Sequence, residues 1–171
     1  VEVDISLMYE SAKTIGHFNN IEKKWKWLKR QEIVEDSDKI SIDRHGIHGL
    51  HMMAIIKVLL SDNKEFKTLK KDLIDESDDE DELAIATLSK DDLRQAPDTW
   101  QQLIYTMVEK QLETYNTSYE DNHELLKKDA FLTSRKRYSL HIRYGQQSIL
   151  RNIAECCNNK ANTKQNSGCK T

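Results

Sequence analysis

The sequence predicts an all-α fold, an irregular helical bundle with a short β-hairpin near residues 39–48. Three observations lead there. Five glycines and one proline in 171 residues leave few tight turns. Charged residues at 32% beside hydrophobic ones at 37% give the profile of a soluble, helix-rich chain. Most of the chain then repeats its apolar residues every three or four positions, the period of a helix face. At this length one domain with a genuine core forms, burying about 70% of the surface that the unfolded chain exposes. The expected organisation is a helical domain over 1–157, with a mobile acidic loop at about 75–82 and a disordered tail over 158–171.

Ile5, Met8, Tyr9, Ala12 and Ile15 recur at helical spacing, and Gly16 follows where a helix end favours positive φ. The next helix starts at Asn20 as N-cap and places Ile21, Trp25 and Leu28 on one face, with Trp27 off that face among lysines. DKISIDRHGIHG alternates Ile40, Ser41, Ile42 and Asp43 before a glycine-containing turn, the pattern of a hairpin. LHMMAIIKVLL is apolar all round and reads as a buried helix. SDNKEFKTLKKDLI reads as another, capped by Ser61 or Asp62, with Phe66, Leu69 and Leu73 inward.

Asp75 to Glu82 holds seven acidic residues in eight positions and nothing to bury, so a solvated loop is expected. After a short piece around LAIATLSKDDLRQ, Pro97 opens one long helix whose apolar residues run from Trp100 through Leu112, Tyr115 and Tyr119. The last helix is capped by Thr133 or Ser134. Tyr138, Ile142, Ile149, Ile153 and Cys157 form one stripe, and Leu140, Tyr144 and Leu150 a second, which predicts contact from two sides. Gly145 in its middle suggests close approach by a neighbour.

The stretch RHGIHGLHMM spaces His45, His48 and His51 by three. Three such residues spread over about 300° of a helix and cannot converge on one ion, and neither CxxC nor HExxH occurs, so a turn leading into a helix is the better reading than a metal site. Cys156 and Cys157 sit near a helix end where the dipole disfavours a thiolate. Three cysteines without framework spacing fit a reducing compartment, cytoplasmic or nuclear. No GxSxG, GxxxxGK or GxGxxG appears, so no catalytic residue is assigned. The net charge of -3 argues for neither nucleic acid nor membrane, and no run of 18 apolar residues exists to span a bilayer. Charge is segregated instead: Lys127 to Arg151 contains seven basic residues against Asp129 alone. The basic stretch matches no nucleic-acid module. The opening VEVDISLMYESAKTI has no signal-peptide character and reads as the start of a piece of a longer protein.

Across Trp100 to Leu150 the sequence resembles a known family. Leu125-Leu126, then Arg135 to Arg137, then the LHIRYGQQSIL block, where Ile142, Arg143, Gly145, Ile149 and Leu150 match the family's aliphatic, arginine, glycine and Ile-Leu positions, carry the likeness. IIKVLLSDNKEFKTLK, with Phe66 and Leu69, is similar to the first half of the same domain. The family is the C-terminal substrate-binding domain of Rubisco-type SET-domain protein-lysine methyltransferases, in the branch of SET-domain-containing protein six and the yeast ribosomal-protein lysine methyltransferases. The likeness covers about four fifths of the chain, most closely after Lys90.

The resemblance implies a lobe that holds a ribosomal or nuclear protein while a SET domain, absent from this chain, transfers a methyl group from S-adenosylmethionine. No cofactor is expected in this chain itself, and no catalysis by it alone. The family's Asn-His motif has no counterpart, because Asn122-His123 lies within the long helix pattern and reads as helix surface. The implied partners are the SET domain of the same protein and a basic protein substrate, with His45 and the acidic Asp78, Asp79, Glu80 and Asp81 as candidate contacts. The competing expectation is a free-standing helical adaptor with no enzymatic role.

Overall fold

A four-stranded antiparallel sheet and eight helices make up the computed structural model, which describes residues 1–16, 19–75, 86–128 and 133–165. The chain is mostly helical, with the strands β1 (Glu2–Asp4), β2 (Lys39–Ile42), β3 (Gly46–Gly49) and β4 (Ala86–Ser89) in the order β1-β2-β3-β4. The hairpin read from the sequence is β2–β3, in register Ile42 with Ile47. β1 and β4 flank it, and both were missed because strands of three and four residues carry too little pattern to read. Val3, Ile40, Ile42, Ile47 and Leu88 point inward, whereas Asp4, Lys39, Ser41 and Thr87 face solvent.

The helices are α1 (Ser6–Ile15), α2 (Ile21–Arg30), α3 (Met52–Leu60), α4 (Asn63–Asp75), α5 (Lys90–Gln95), α6 (Asp98–Glu113), α7 (Tyr119–Lys127) and α8 (Ser134–Gln165). One continuous cluster of buried residues links the sheet to Met52, Ile55, Ile56 and Leu59 of α3 and to Leu103, Ile104, Met107 and Val108 of α6. α6 packs against both α1 and α8, and α8 also receives α5 and α7.

Local signals explain most element ends. Gly16 closes α1 at φ 70°, a left-handed conformation that costs glycine little. Asp62 caps α4 by accepting from the N–H groups of Lys64 and Glu65, while Glu65 accepts from the N–H of Asp62. Ser89 and Asp92 form the same reciprocal box at α5. Asn20 precedes α2 but does not cap it with its side chain, which donates instead to Asn63 Oδ1 at 3.0 Å. Trp27 is not left among lysines: it meets the edge of Phe66 at 5.6 Å and is partly buried.

The long helix expected after Pro97 is two helices. α6 stops at Glu113 and α7 begins at Tyr119, with Ser118 capping it through the Asp121 N–H. Asn116, Thr117 and Ser118 are weak helix formers whose side chains compete for the backbone. Thr117 is held by α8 instead: its carbonyl accepts from Gln147 Nε2 at 2.7 Å.

α8 continues to Gln165, past the expected end at Asn158, since extending a formed helix through Asn-Lys-Ala-Asn-Thr-Lys-Gln costs far less than nucleating one. Gly145 is not approached by a neighbour, because a Cβ added there meets nothing within 4 Å. Gly145→Ala is therefore expected to raise stability by about 0.5 to 1 kcal/mol, measured by denaturant unfolding, and a loss of stability would reverse this assignment.

Candidate functional site

Two polar constructions stand out on this frame. The first is the β2–β3 turn. Asp43 Oδ1 accepts from the N–H of His45 at 2.7 Å and of Gly46 at 3.1 Å, and lies 3.3 Å from His48 Nε2, off hydrogen-bond alignment. His48 Nδ1 shares a 3.0 Å hydrogen bond with Thr87 Oγ1, its cross-strand partner on β4. The His45 N–H, then His48 and the Gly46 N–H, pull the Asp43 carboxyl down to about 2. The hydroxyl, imidazole and carboxylate form a chain on the solvent face of the sheet, and its evident work is to tie β4 to the turn.

Because the folded Asp43 titrates below the ordinary aspartate value of 3.8, its contribution is present above that value and is lost as pH falls toward about 2. Acid titration followed by amide NMR at His45 and Gly46 is expected to show a step near pH 2 that Asp43→Asn abolishes. A step near pH 4 in the native chain would contradict this.

The second construction joins α7 to α8. Tyr119 and Tyr144 stack at 4.6 Å and share a 2.7 Å hydrogen bond through their hydroxyls. His123 stacks on Tyr144 at 5.4 Å, and the Arg151 guanidinium lies 4.5 Å above the Tyr119 ring while pairing with Glu120. The hydrogen bond to Tyr119, then burial, raises the Tyr144 phenol above its ordinary value. Beneath the stack, Asn122 is 0% exposed: its Nδ2 donates to Gln147 Oε1 at 2.6 Å and its Oδ1 accepts from Thr117 Oγ1 at 2.9 Å. It is not helix surface, as its neighbours in sequence suggest, but the buried pin of the α7–α8 pair.

The candidate residues fall as follows. His45 is exposed at the turn and its Nε2 accepts from Arg44 Nε at 3.0 Å. His48 lies in β3 and His51 precedes α3 at φ 51°, so the three histidines serve three different structures. Among the described residues no group of three or more His, Cys, Asp or Glu is placed to hold a metal ion. Asp78, Asp79, Glu80 and Asp81 lie outside the described residues. Cys156 and Cys157 are buried, and burial together with Cys156 pushes the Cys157 thiol to about 12, far from a nucleophile's range. S-adenosylmethionine, implied by the resemblance, finds no fit at Asn122-His123, since both amide atoms of Asn122 are already bonded and His123 is stacked on Tyr144.

Sequence reading missed both constructions. Thr87 is 39 residues from His48, and Gln147 is 25 from Asn122, separations that no local period reveals. The one available signal was the clustering of tyrosine and histidine with Arg151 on two consecutive helices.

The sequence profile of the family described as Rubisco LSMT substrate-binding matches residues 19–150. The chain is similar to N-lysine methyltransferase setd6 of Salmo salar, 29% identical over 163 residues that make up 90% of this chain and 36% of that protein. It is 28% identical to N-lysine methyltransferase setd6 of Xenopus tropicalis over 152 residues, 86% of this chain and 33% of that protein. To N-lysine methyltransferase SETD6 of Homo sapiens it is 27% identical over 150 residues, 85% of this chain and 31% of that protein. The chain thus spans about a third of the length of the curated relatives it matches. With the profile extending from α2 to the middle of α8, over β2, β3 and β4 and the α7–α8 contacts as far as Gln147, the chain belongs to the Rubisco LSMT substrate-binding family.

Proposed function

We propose that this chain is the protein-substrate recognition lobe of a SET-domain protein-lysine N-methyltransferase whose catalytic domain lies outside it. The observation that carries this reading is the family match over residues 19–150, in relatives named as N-lysine methyltransferases and about three times as long. The lobe binds and orients a ribosomal or nuclear protein so that a lysine enters the SET domain, where S-adenosylmethionine supplies the methyl group. Holding two reactants in register contributes much of a catalyst's advantage without a reacting group in the lobe. The SET domain of the same protein is its intramolecular partner. Asp78 to Asp81 and His45 are the proposed contacts to a basic segment of the substrate, in a protein of the nucleus or cytoplasm.

The transcript upstream of Val1 tests the reading. An in-frame SET-domain sequence is expected there, whereas a start codon at Val1 with none before it would overturn the proposal in favour of a helical adaptor. Titration calorimetry of the chain with S-adenosylmethionine is expected to show no binding in the micromolar range. Binding of that strength would place part of the cofactor site in this lobe.

A further inference from the structure

The apolar stripe of α8 runs past the edge of the fold. In its second half Ile149 packs against the core, and Ile153 and Cys157 belong to it. Ile142 and Tyr138 precede Ile149 by seven and eleven residues, about two and three turns, and therefore lie on the same side of the helix. They are nonetheless 46% and 70% exposed. α6, which packs against α8, ends at Glu113. Beyond that end, the Tyr115 hydroxyl reaches Gln146 at 3.2 Å.

Around Gln146, α7 and the turn before it sit on a different side of α8, with Tyr119 and Asn122 against Tyr144 and Gln147 and Thr117 against Arg143. The open space at Gly145 continues the uncovered face. A helix stripe that is core in one half and bare in the other is an unfinished packing surface.

The charge around it indicates what finishes it. From Thr133 to Arg151 the chain has Arg135, Lys136, Arg137, Arg143 and Arg151 and no acidic residue. Arg151 is paired with Glu120, and Arg143 donates to Thr117 Oγ1 at 3.2 Å. Arg135 and Lys136 are exposed, and Arg135 falls on the face of Tyr138 and Ile142. Tyrosine, isoleucine and arginine on one rigid helix form a small apolar centre in a cationic frame, the complement of an acidic segment with apolar side chains of its own. Two apolar residues are too narrow a strip to hold a helix in a bilayer interface. Nucleic acid would use the arginine but leave Ile142 without a partner.

We propose that this overhanging face of α8, formed by Arg135, Tyr138 and Ile142, docks an acidic protein segment that presents an apolar helix stripe. The site stands on α8 alone and holds whether or not the chain belongs to a methyltransferase.

The test titrates the isotopically labelled chain with a synthetic amphipathic peptide of about 18 residues, leucine at helical spacing and glutamate elsewhere. Saturable NMR shifts are expected at the amides around Tyr138 and Ile142, with affinity falling as salt rises to about 0.3 M. The double variant Tyr138→Ser, Ile142→Ser is expected to lose about tenfold or more in affinity with an unchanged thermal midpoint, both side chains being exposed. Arg135→Glu is expected to weaken the glutamate peptide and to favour its lysine counterpart. Unchanged affinity in the double variant, shifts confined to another face, or equal binding of the lysine peptide would each overturn the proposal. So would shifts at these residues produced by phosphatidylserine vesicles or single-stranded RNA with none from the peptide. A concentration-dependent dimer that the double variant dissolves would overturn it in favour of self-association.

Discussion

Gly46→Ala is expected to lower the stability of the chain by about 3 kcal/mol or more, a drop of about 10 °C in Tm for a domain of this size. An added Cβ at this position would fall well inside the contact distance of the Leu88 carbonyl oxygen, with the Leu88 carbonyl carbon at 2.9 Å and Ser89 Cα at 3.0 Å. These are backbone atoms of β4, so no rotamer change relieves the overlap. β4 must move away, and with it go the Gly46–Ser89 pairing and the bond from the Lys90 N–H to the His45 carbonyl at 3.1 Å. Gly49, three residues on, is the control. There a Cβ meets Met52 Cβ at 3.4 Å and Ile40 Cγ1 at 3.6 Å, ordinary contacts with side chains, so Gly49→Ala is expected to cost no more than about 1 kcal/mol. Urea unfolding of the two variants decides the matter, and equal costs would show that β4 does not press on Gly46.

That glycine also shows how far the sequence could be read. Its place in a hairpin turn was legible from the alternation of Ile40 and Ile42 and from the Asp-Arg-His-Gly turn. Its real constraint comes from a strand 40 residues away and was not. The same division runs through the chain. α1, α2, α3 and α4 were legible because of their own periods and of end signals such as the Gly16 stop and the Asp62 N-cap. The break between α6 and α7 was hidden because Tyr115 and Tyr119 keep helical spacing across it, while the forces that open it come from Gln147 on α8. Gly145 misled for the opposite reason: a helical glycine suggests a neighbour pressed against it, and here the neighbour is missing. Family membership could be read where the folded constructions could not. The Leu-Leu, arginine and Ile-Leu positions keep their order along the chain whether a residue is buried, as Leu150 is, or exposed, as Leu125 is.

The two polar constructions share a consequence for recognition. The Asp43, His48 and Thr87 chain fixes the exposed His45 turn at the end of the two central strands, and the Asn122 to Gln147 pair fixes the aromatic face of α7 against α8. Each presents side chains that are already ordered, so a partner meeting them loses less conformational freedom than it would on a loop. The basic start of α8 adds positive charge elsewhere on the surface, so an acidic partner is oriented as well as attracted.

Lys24→Met is expected to cost about 2 to 4 kcal/mol, the loss of two hydrogen bonds from a buried ammonium to backbone carbonyls. Lys24 lies on the inward face of α2 with Ile21, Trp25 and Leu28 and is only 1% exposed. Its Nζ donates to the Leu59 carbonyl at 3.2 Å and to the Ser61 carbonyl at 2.5 Å, at the C-terminal end of α3 where free carbonyls and the helix dipole favour a cation. Methionine keeps the length and most of the apolar stem, so the measured loss reports the head group. The pH dependence separates this account from an ordinary surface ion pair. Burial lowers the Lys24 pKa, and Asp62 and Glu65 offset that only in part. Between the folded value and the ordinary lysine value the unfolded chain carries a proton that the folded chain has released, so native stability rises with pH through that alkaline interval. The gap between the native chain and Lys24→Met should therefore widen as pH increases there, in unfolding curves taken at several alkaline pH values. A gap that narrows instead would mean that the charge, more than the fit of the amine between two carbonyls, holds α2 to the end of α3.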